Sequence, residues 1–296
     1  MDILFSSVSQ GFIWAIMAIG VYLTYRILDI ADLTAEGSFP LGAAVCAALI
    51  TINVHPLLAV LAGFGAGMIA GLCTGLLTTK LKIPALLSGI LTMTALYSIN
   101  MHVMGQGNLN LIGKETLVQW LAPLGLSSDM AMLVIGGVMI ALVILVLFLF
   151  FNTGLGLAIR ATGDNETMSK ANGVRTDRMK IIGYMISNGL IALSGTLMAM
   201  NNGYADISMG IGTIVIGLAA VIIAEVIFHN LTFGMRLLTI VVGAIIYRLI
   251  MAIVFELGIN PIDLKLATAI LLTIALCSPL ISNAIKQLGK KKGAKF

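Results

Sequence analysis

Three acidic residues, Asp29, Asp32 and Glu36, stand within eight positions of one another between two strongly apolar runs. Charge held at membrane depth is costly and marks a conducting pathway or a paired site. Irregular backbone at that depth is tolerated only where protein or a water-filled cavity covers it. The segment 29–38 therefore reads either as the lining of a translocation path near its cytoplasmic end or as an ordinary interfacial loop. Further along, Glu225 stands near the end of an apolar run, just before His229 and Asn230. It is expected to snorkel or to pair with Arg236. Arg248 lies deep in another run, after Tyr247. It is either a counter-charge for an anionic solute group or, as the expected reading, a donor to carbonyls of neighbouring helices. Asn100, Asn188, Asn201 and Asn202 read as helix-to-helix glue, with contact to solute as the alternative.

Other chemistry is absent from the pattern. There is no Walker motif, no nucleophile–base grouping and no pair of catalytic carboxylates. His55, His102 and His229 are scattered at the ends of runs, so no metal site is expected. Cys46, Cys73 and Cys277 each lie within an apolar run and read as small buried residues. No cofactor is expected on this chain.

Elements that could position these residues must cross lipid. Of the 296 residues, 59% are hydrophobic and 10% charged, against about 25% charged in soluble domains. The mean hydropathy is +1.06. The apolar runs are continuous, which excludes an alternating β-barrel pattern, and the 32 glycines suit close helix packing in a membrane. The expected fold is an all-α polytopic transmembrane bundle. About nine spans are predicted, over 10–30, 39–52, 56–79, 83–104, 130–151, 181–201, 210–228, 233–255 and 264–285. The second covers only about 21 Å, so the polar stretch before it must dip into the membrane. Met1 to Gln10 carries no basic leader region, and the first run reads as an uncleaved span. The whole of 1–296 reads as one membrane domain, with a long internal loop at 152–180 and a basic tail at 286–296.

Charge bias gives the orientation. With nine spans and the C-terminus inside, the N-terminus is outside. Arg26, Lys80, Lys82, Arg160, Lys170, Arg175, Arg178, Lys180, Arg236 and the tail lysines then face the cytoplasm, and only Lys114 and Lys265 face outward. The net charge of +4 sits between spans and in the tail and does not point to nucleic acid. The outer segment 105–129, with Trp120, is expected to form a short helix lying on the outer surface.

The internal loop reads NTGLGLAIRATGDNETMSKANGVRTDRMK. Gly154 and Gly156 open it and Arg160 follows. Gly163 and Asp164 signal a turn, and Asn165 is a suitable N-cap. A short helix is predicted over 166–171, with Glu166 in its first turn and Asn172 and Gly173 stopping it. This loop, with the span SNGLIALSGTLMA after it, resembles the permeases of binding-protein-dependent ABC importers, the family of the branched-chain amino acid and ribose permeases. DIADLTAEGSFPLGA resembles that family's Asp-Leu-Ser-Val-Gly-Ser segment, occupied here by Asp32, Leu33, Thr34, Ala35, Glu36, Gly37 and Ser38, with one extra residue before the glycine. The wording is closest to a subgroup described as tryptophan/tyrosine or unassigned solute permeases.

The resemblance covers roughly residues 10–285 and implies a fold of the cobalamin-importer permease type. Relatives like the ribose permease carry one more N-terminal span. It implies that the loop holds a coupling helix docking on an ATPase, through Gly154, Gly156, Arg160, Gly163, Asp164, Asn165, Glu166, Met168, Asn172 and Gly173. It implies an extracytoplasmic solute-binding protein, a second permease copy, and ATP with Mg on the partner ATPase. The expected function is import of a small polar solute, an aromatic amino acid first among them, across the cytoplasmic (inner) membrane. Asp29, Asp32, Thr34, Glu36, Ser38, Asn100 and Arg248 are the candidate path residues. The alternative is an ion-gradient-driven carrier using Asp32, Glu36 and Glu225; a membrane enzyme lacks its nucleophile.

Overall fold

A computed structural model describes residues 2–120, 127–228 and 231–256, together with Asp263, Leu266, Thr268, Ala269, Ile270 and Thr273. The expected ninth span at 264–285, Cys277 and the tail 286–296 lie largely or wholly outside the described residues.

The long helices follow the apolar runs closely. They are α1 (Asp2–Tyr22), α2 (Ala35–Thr51), α3 (Pro56–Thr79), α4 (Ala85–Met104), then β1 (Asn108–Asn110), α5 (Leu117–Trp120), α6 (Ser128–Phe151), α7 (Gly154–Asp164), α8 (Glu166–Ala171), α9 (Thr176–Asn202), β2 (Tyr204–Asp206), α10 (Thr213–Ile227) and α11 (Phe233–Glu256). A π-helical turn, Leu23–Ile27, prolongs α1, and a 3₁₀ turn, Ile207–Gly210, precedes α10. With those turns included, seven helical segments among the described residues are long and apolar enough to cross a membrane. The eighth, α2, has 17 residues and starts four residues before the predicted run, at the polar segment that was expected to dip inward.

Local chemistry sets the ends. Proline opens α3 at its first position, where no N–H is needed. Left-handed glycines close α4 and α9 at Gly105 and Gly203. Outside α2, the Lys114 ammonium donates to the Thr51 carbonyl at 3.2 Å, a cation at a helix C-terminus.

Polarity alone does not set a helix's position in the bundle. The best-buried long spans are α1 and α9, with 78% of the apolar window of each buried at mean hydropathies of 1.4 and 1.5, whereas α4, at 1.3, is 28% buried. The most apolar, α6 at 3.2, is 22% buried. Lipid is as apolar as leucine, so helices gain from contact only where small or polar side chains allow close packing and hydrogen bonds. The central α9 packs on α1, α2 and α3, while α4 packs on α2 and α3. At the α2–α9 crossing a Cβ on Gly42 would stand 2.0 Å from the Ala192 carbonyl oxygen, so only glycine permits that approach.

Three features depart from the sequence expectation. The stretch expected as an open loop from Gly154 to Asp164 is helical, capped by Thr153, whose Oγ1 accepts from the Gly156 N–H. The segment expected to face outward contains, besides a short helix at Leu117–Trp120, a strand β1 that pairs antiparallel with β2, Asn108 opposite Asp206. Trp120 packs edge-on against His55, with ring centroids 4.4 Å apart. Cys46 is buried as expected, whereas Cys73 is exposed on α3.

Candidate functional site

The elements α7 and α8, which hold the loop read from the sequence as internal, form one projection. Asn165 breaks the helix between them with φ −157° and ψ 99°, and its Oδ1 accepts from the Met168 N–H at 2.9 Å. That is the N-cap read from the sequence, and α8 spans the predicted residues. Asn172 donates from Nδ2 to the Met168 carbonyl, and Gly173 turns the chain with φ +80°.

Glu166 ties this projection to the membrane helix behind it. Its carboxylate meets the Lys170 ammonium at 2.8 Å and the Lys180 ammonium, on α9, at 2.6 Å. Hydrogen bonds from Lys170 and then Lys180 hold its carboxyl down at about 2. The same pairing raises Lys170. Thr176 Oγ1 also donates to Glu166, at 3.3 Å. Met168, by contrast, is 63% exposed at the tip.

On its other side α7 presses against the end of α1. A Cβ on Gly163 would lie 1.7 Å from the Ile27 carbonyl oxygen, so helix and π-turn touch backbone to backbone. Gly156 also lies close on the backbone of Phe150 and Phe151, where a Cβ would stand 2.4 Å from the Phe150 carbonyl oxygen, while Gly154 faces open space. The Arg160 guanidinium lies over the Phe233 ring of α11, 5.3 Å from its centroid. Arg26, Arg160, Asp164 and Arg236 share a cavity beside it. Glu225 pairs with Arg236 at 3.7 Å, as expected, and also with Arg26 at 3.0 Å. Every expected coupling residue therefore belongs to α7, α8 or the turns that bound them.

The expected path residues divide into three groups. Asp32, Thr34 and Ser38 lie in the bundle interior. Both Asp32 oxygens accept: Oδ1 from the Thr34 N–H at 2.9 Å, Oδ2 from Asn188 Nδ2 at 2.7 Å. Ser38 donates to Asn188 Oδ1 at 2.7 Å. The Thr92 hydroxyl donates to the Ser88 carbonyl and accepts from Thr74. Thr34, 2.8 Å from Thr74, then donates to it. One chain of hydrogen bonds thus joins the α1–α2 connection to α2, α3, α4 and α9. Such a closed network fixes its members because each buried group would otherwise lose its partner.

Glu36 and Asn100 form the second group. They border a cavity of about 400 Å³ between α2, α4 and the 3₁₀ turn before α10, which Met93, Tyr97, Ser208 and Ile211 also line. Glu36 Oε1 accepts from the Gly212 N–H at 3.0 Å. Asn100 Nδ2 donates to the Gly37 carbonyl at 3.3 Å, and its Oδ1 has no partner among the described residues. The third group, Asp29 and Arg248, joins neither. Asp29 is exposed at φ 55°. Arg248 lies over the Trp14 ring, 5.7 Å from its centroid; among the described residues this ring contact stands where carbonyl hydrogen bonds were expected.

Sequence reasoning missed Thr74, Thr92, Tyr97 and Ser208 as partners of these groups, and placed Asn188 only as generic glue. Asn188 lies 150 positions from Ser38; no local spacing signals such a pair. Among the described residues no group of three metal-ligating side chains occurs.

The model of a family described as branched-chain amino acid transport system, permease component, matches residues 3–277. The chain belongs to this permease family. It is 40% identical to the tyrosine transport system permease protein of Clostridioides difficile (strain R20291), over 97% of this chain and 94% of that one. An uncharacterised protein of Rickettsia prowazekii (strain Madrid E) is 35% identical, over 94% and 98%. The ribose import permease of Escherichia coli (strain K12) is 28% identical, over 74% and 68%. No solved structure matches the chain. The permease is thus a multi-pass, all-α membrane subunit of an ABC transport system and not itself an enzyme.

Proposed function

We infer that this permease imports an aromatic amino acid across the cytoplasmic (inner) membrane, driven by hydrolysis of Mg-bound ATP on separate ATPase subunits. The observation that carries the reading is the α7–α8 projection: a capped helix, pinned to α9 through Glu166 and Lys180 and set backbone to backbone on α1 at Gly163 and Ile27. A push on an exposed tip such as Met168 reaches two central spans without an intervening flexible segment. A soft loop would dissipate that motion.

Two copies of the chain flank the path, and an extracytoplasmic binding protein delivers solute to the outer face. The lysine and arginine bias supports an outside N-terminus and a cytoplasmic C-terminus. The solute class rests on the 40% identity to a permease named for tyrosine transport. Glu36 and Asn100 border the path. Asp32, Thr34 and Ser38 stiffen the helices behind it, and Asp29 and Arg248 stand at its margins.

The test is co-purification of tagged permease from mild detergent, with and without replacement of residues 166–172 by a Gly/Ser linker. Capture of an ATP-binding subunit by the native chain, lost in the variant, is the expected result. Retained capture and unchanged uptake in the variant overturn the coupling assignment. Uptake that survives ATP depletion but collapses with an ionophore points instead to a gradient-driven carrier.

A further inference from the structure

The cavity between α2, α4 and the 3₁₀ turn has a one-sided chemistry. Its volume, about 400 Å³, falls within the range of roughly 300–1,000 Å³ typical of small-molecule sites. Met93, Tyr97, Ile207 and Ile211 give it an apolar wall, and among the described residues no Lys, Arg or His lines it. Its one carboxylate is Glu36. Oε1 of Glu36 is engaged by the Gly212 N–H, while Oε2 takes no hydrogen bond among the described residues.

Asn100 adds a second acceptor. Its Nδ2 faces the Gly37 carbonyl, an acceptor, which fixes the amide orientation and leaves Oδ1 as the atom without a partner among the described residues. The side chain is fully buried. A buried carbonyl oxygen left unsatisfied is costly, and in a transporter a passing donor can supply the missing bond. Among the described residues the cavity therefore offers acceptors and apolar surface, but no positive charge to meet an anion.

We propose that this cavity is a solute subsite that recognises the ammonium group and the aromatic ring of its ligand, and makes no charge pairing with the carboxylate. Glu36 pairs with the ammonium, Asn100 Oδ1 accepts a further N–H from it, and Met93, Tyr97 and Ile211 hold the ring. The inference rests on the aromatic amino acid reading given above. It sharpens it: the permease path selects for an organic cation with an aromatic side chain, so that any demand for the carboxylate belongs to the binding protein.

The experiment uses the assembled transporter in lipid nanodiscs without binding protein, and displaces labelled tyrosine with unlabelled competitors. Tyramine, which keeps the ammonium and lacks the carboxylate, is expected to compete within about threefold of tyrosine. 3-(4-Hydroxyphenyl)propionate, which lacks the ammonium, is expected to compete at least roughly tenfold more weakly. Glu36→Gln keeps an amide oxygen for the Gly212 N–H but removes the charge, and is expected to weaken tyrosine binding roughly ten- to a hundredfold. Met93→Trp, which fills the cavity from α4, is expected to abolish displaceable binding while leaving thermal unfolding unchanged.

Equal competition by the propionate, unaltered binding in both variants, or no displaceable tyrosine binding to the native complex each overturns the subsite. ATP-driven uptake measured on the same preparations with binding protein separates the two readings. If uptake persists, the permease reading stands and only the subsite fails; if the native complex shows no ATP-driven uptake, the permease reading fails with it.

Discussion

The α7–α8 projection and the polar interior of the bundle solve opposite problems. In α7 and α8 the devices that set the helix ends are local: Thr153 and Asn165 cap within three residues and Glu166 meets Lys170 one turn on, while Glu166 with Lys180 and Gly163 with Ile27 tie the pair to other helices. In the interior the partners are distant: Ser38 and Asp32 depend on Asn188, and Thr34 on Thr74 and Thr92. Water surrounds the first region and can replace a lost hydrogen bond. It does not reach the second, where each loss leaves a bare polar group. The projection should therefore tolerate substitution in stability and fail in coupling, while the interior should fail in stability first.

The largest effect is expected at the α2–α9 crossing, where backbone meets backbone. Gly42→Val drives a side chain into the Ala192 carbonyl and should abolish a monodisperse permease peak in detergent chromatography. Asn188→Leu should follow, since it strands Asp32 and Ser38 together, at about 1–3 kcal/mol for each group left unpaired; thermal unfolding in detergent measures it. A stability as high as that of the native protein in Asn188→Leu would break the contrast drawn above.

Gly163→Val acts on the seam between the regions. Its side chain must part α7 from Ile27, and the expected outcome is ATP hydrolysis by the complex with uptake lost and unfolding nearly unchanged. Glu166→Gln is milder still. It loses half-exposed ion pairs worth about 0.2–1 kcal/mol, with uptake per ATP reduced rather than lost.

The smallest effect is that of pH. Glu166 sits at about 2 against an ordinary 4.5. A carboxyl depressed on folding adds stability above its ordinary value and loses it as the pH falls from 4.5 towards 2. Uptake per ATP should therefore show no contribution from Glu166 between about pH 8 and pH 5. A titration in that window that vanishes in Glu166→Gln would mean that Lys170 and Lys180 do not hold the carboxylate in the working complex.

What the sequence by itself determined is what depends on neighbours along the chain. Continuous apolar runs marked the spans because lipid demands them, and the Asn165 cap with the Gly173 stop bounded α8 because capping acts within one turn. The helical state of Gly154–Asp164 escaped notice, since glycines there read as loop until Phe150, Phe151 and Ile27 are seen pressed against them. Only the tertiary structure decided which polar residues are structural and which border a cavity. Asp32 and Glu36 lie four positions apart with the same chemistry, yet α9 meets the first with Asn188, while the second opens beside α4 and the turn before α10. Those neighbours come from more than fifty positions away, and nothing in the local pattern of a helix tells which distant helix will cover it.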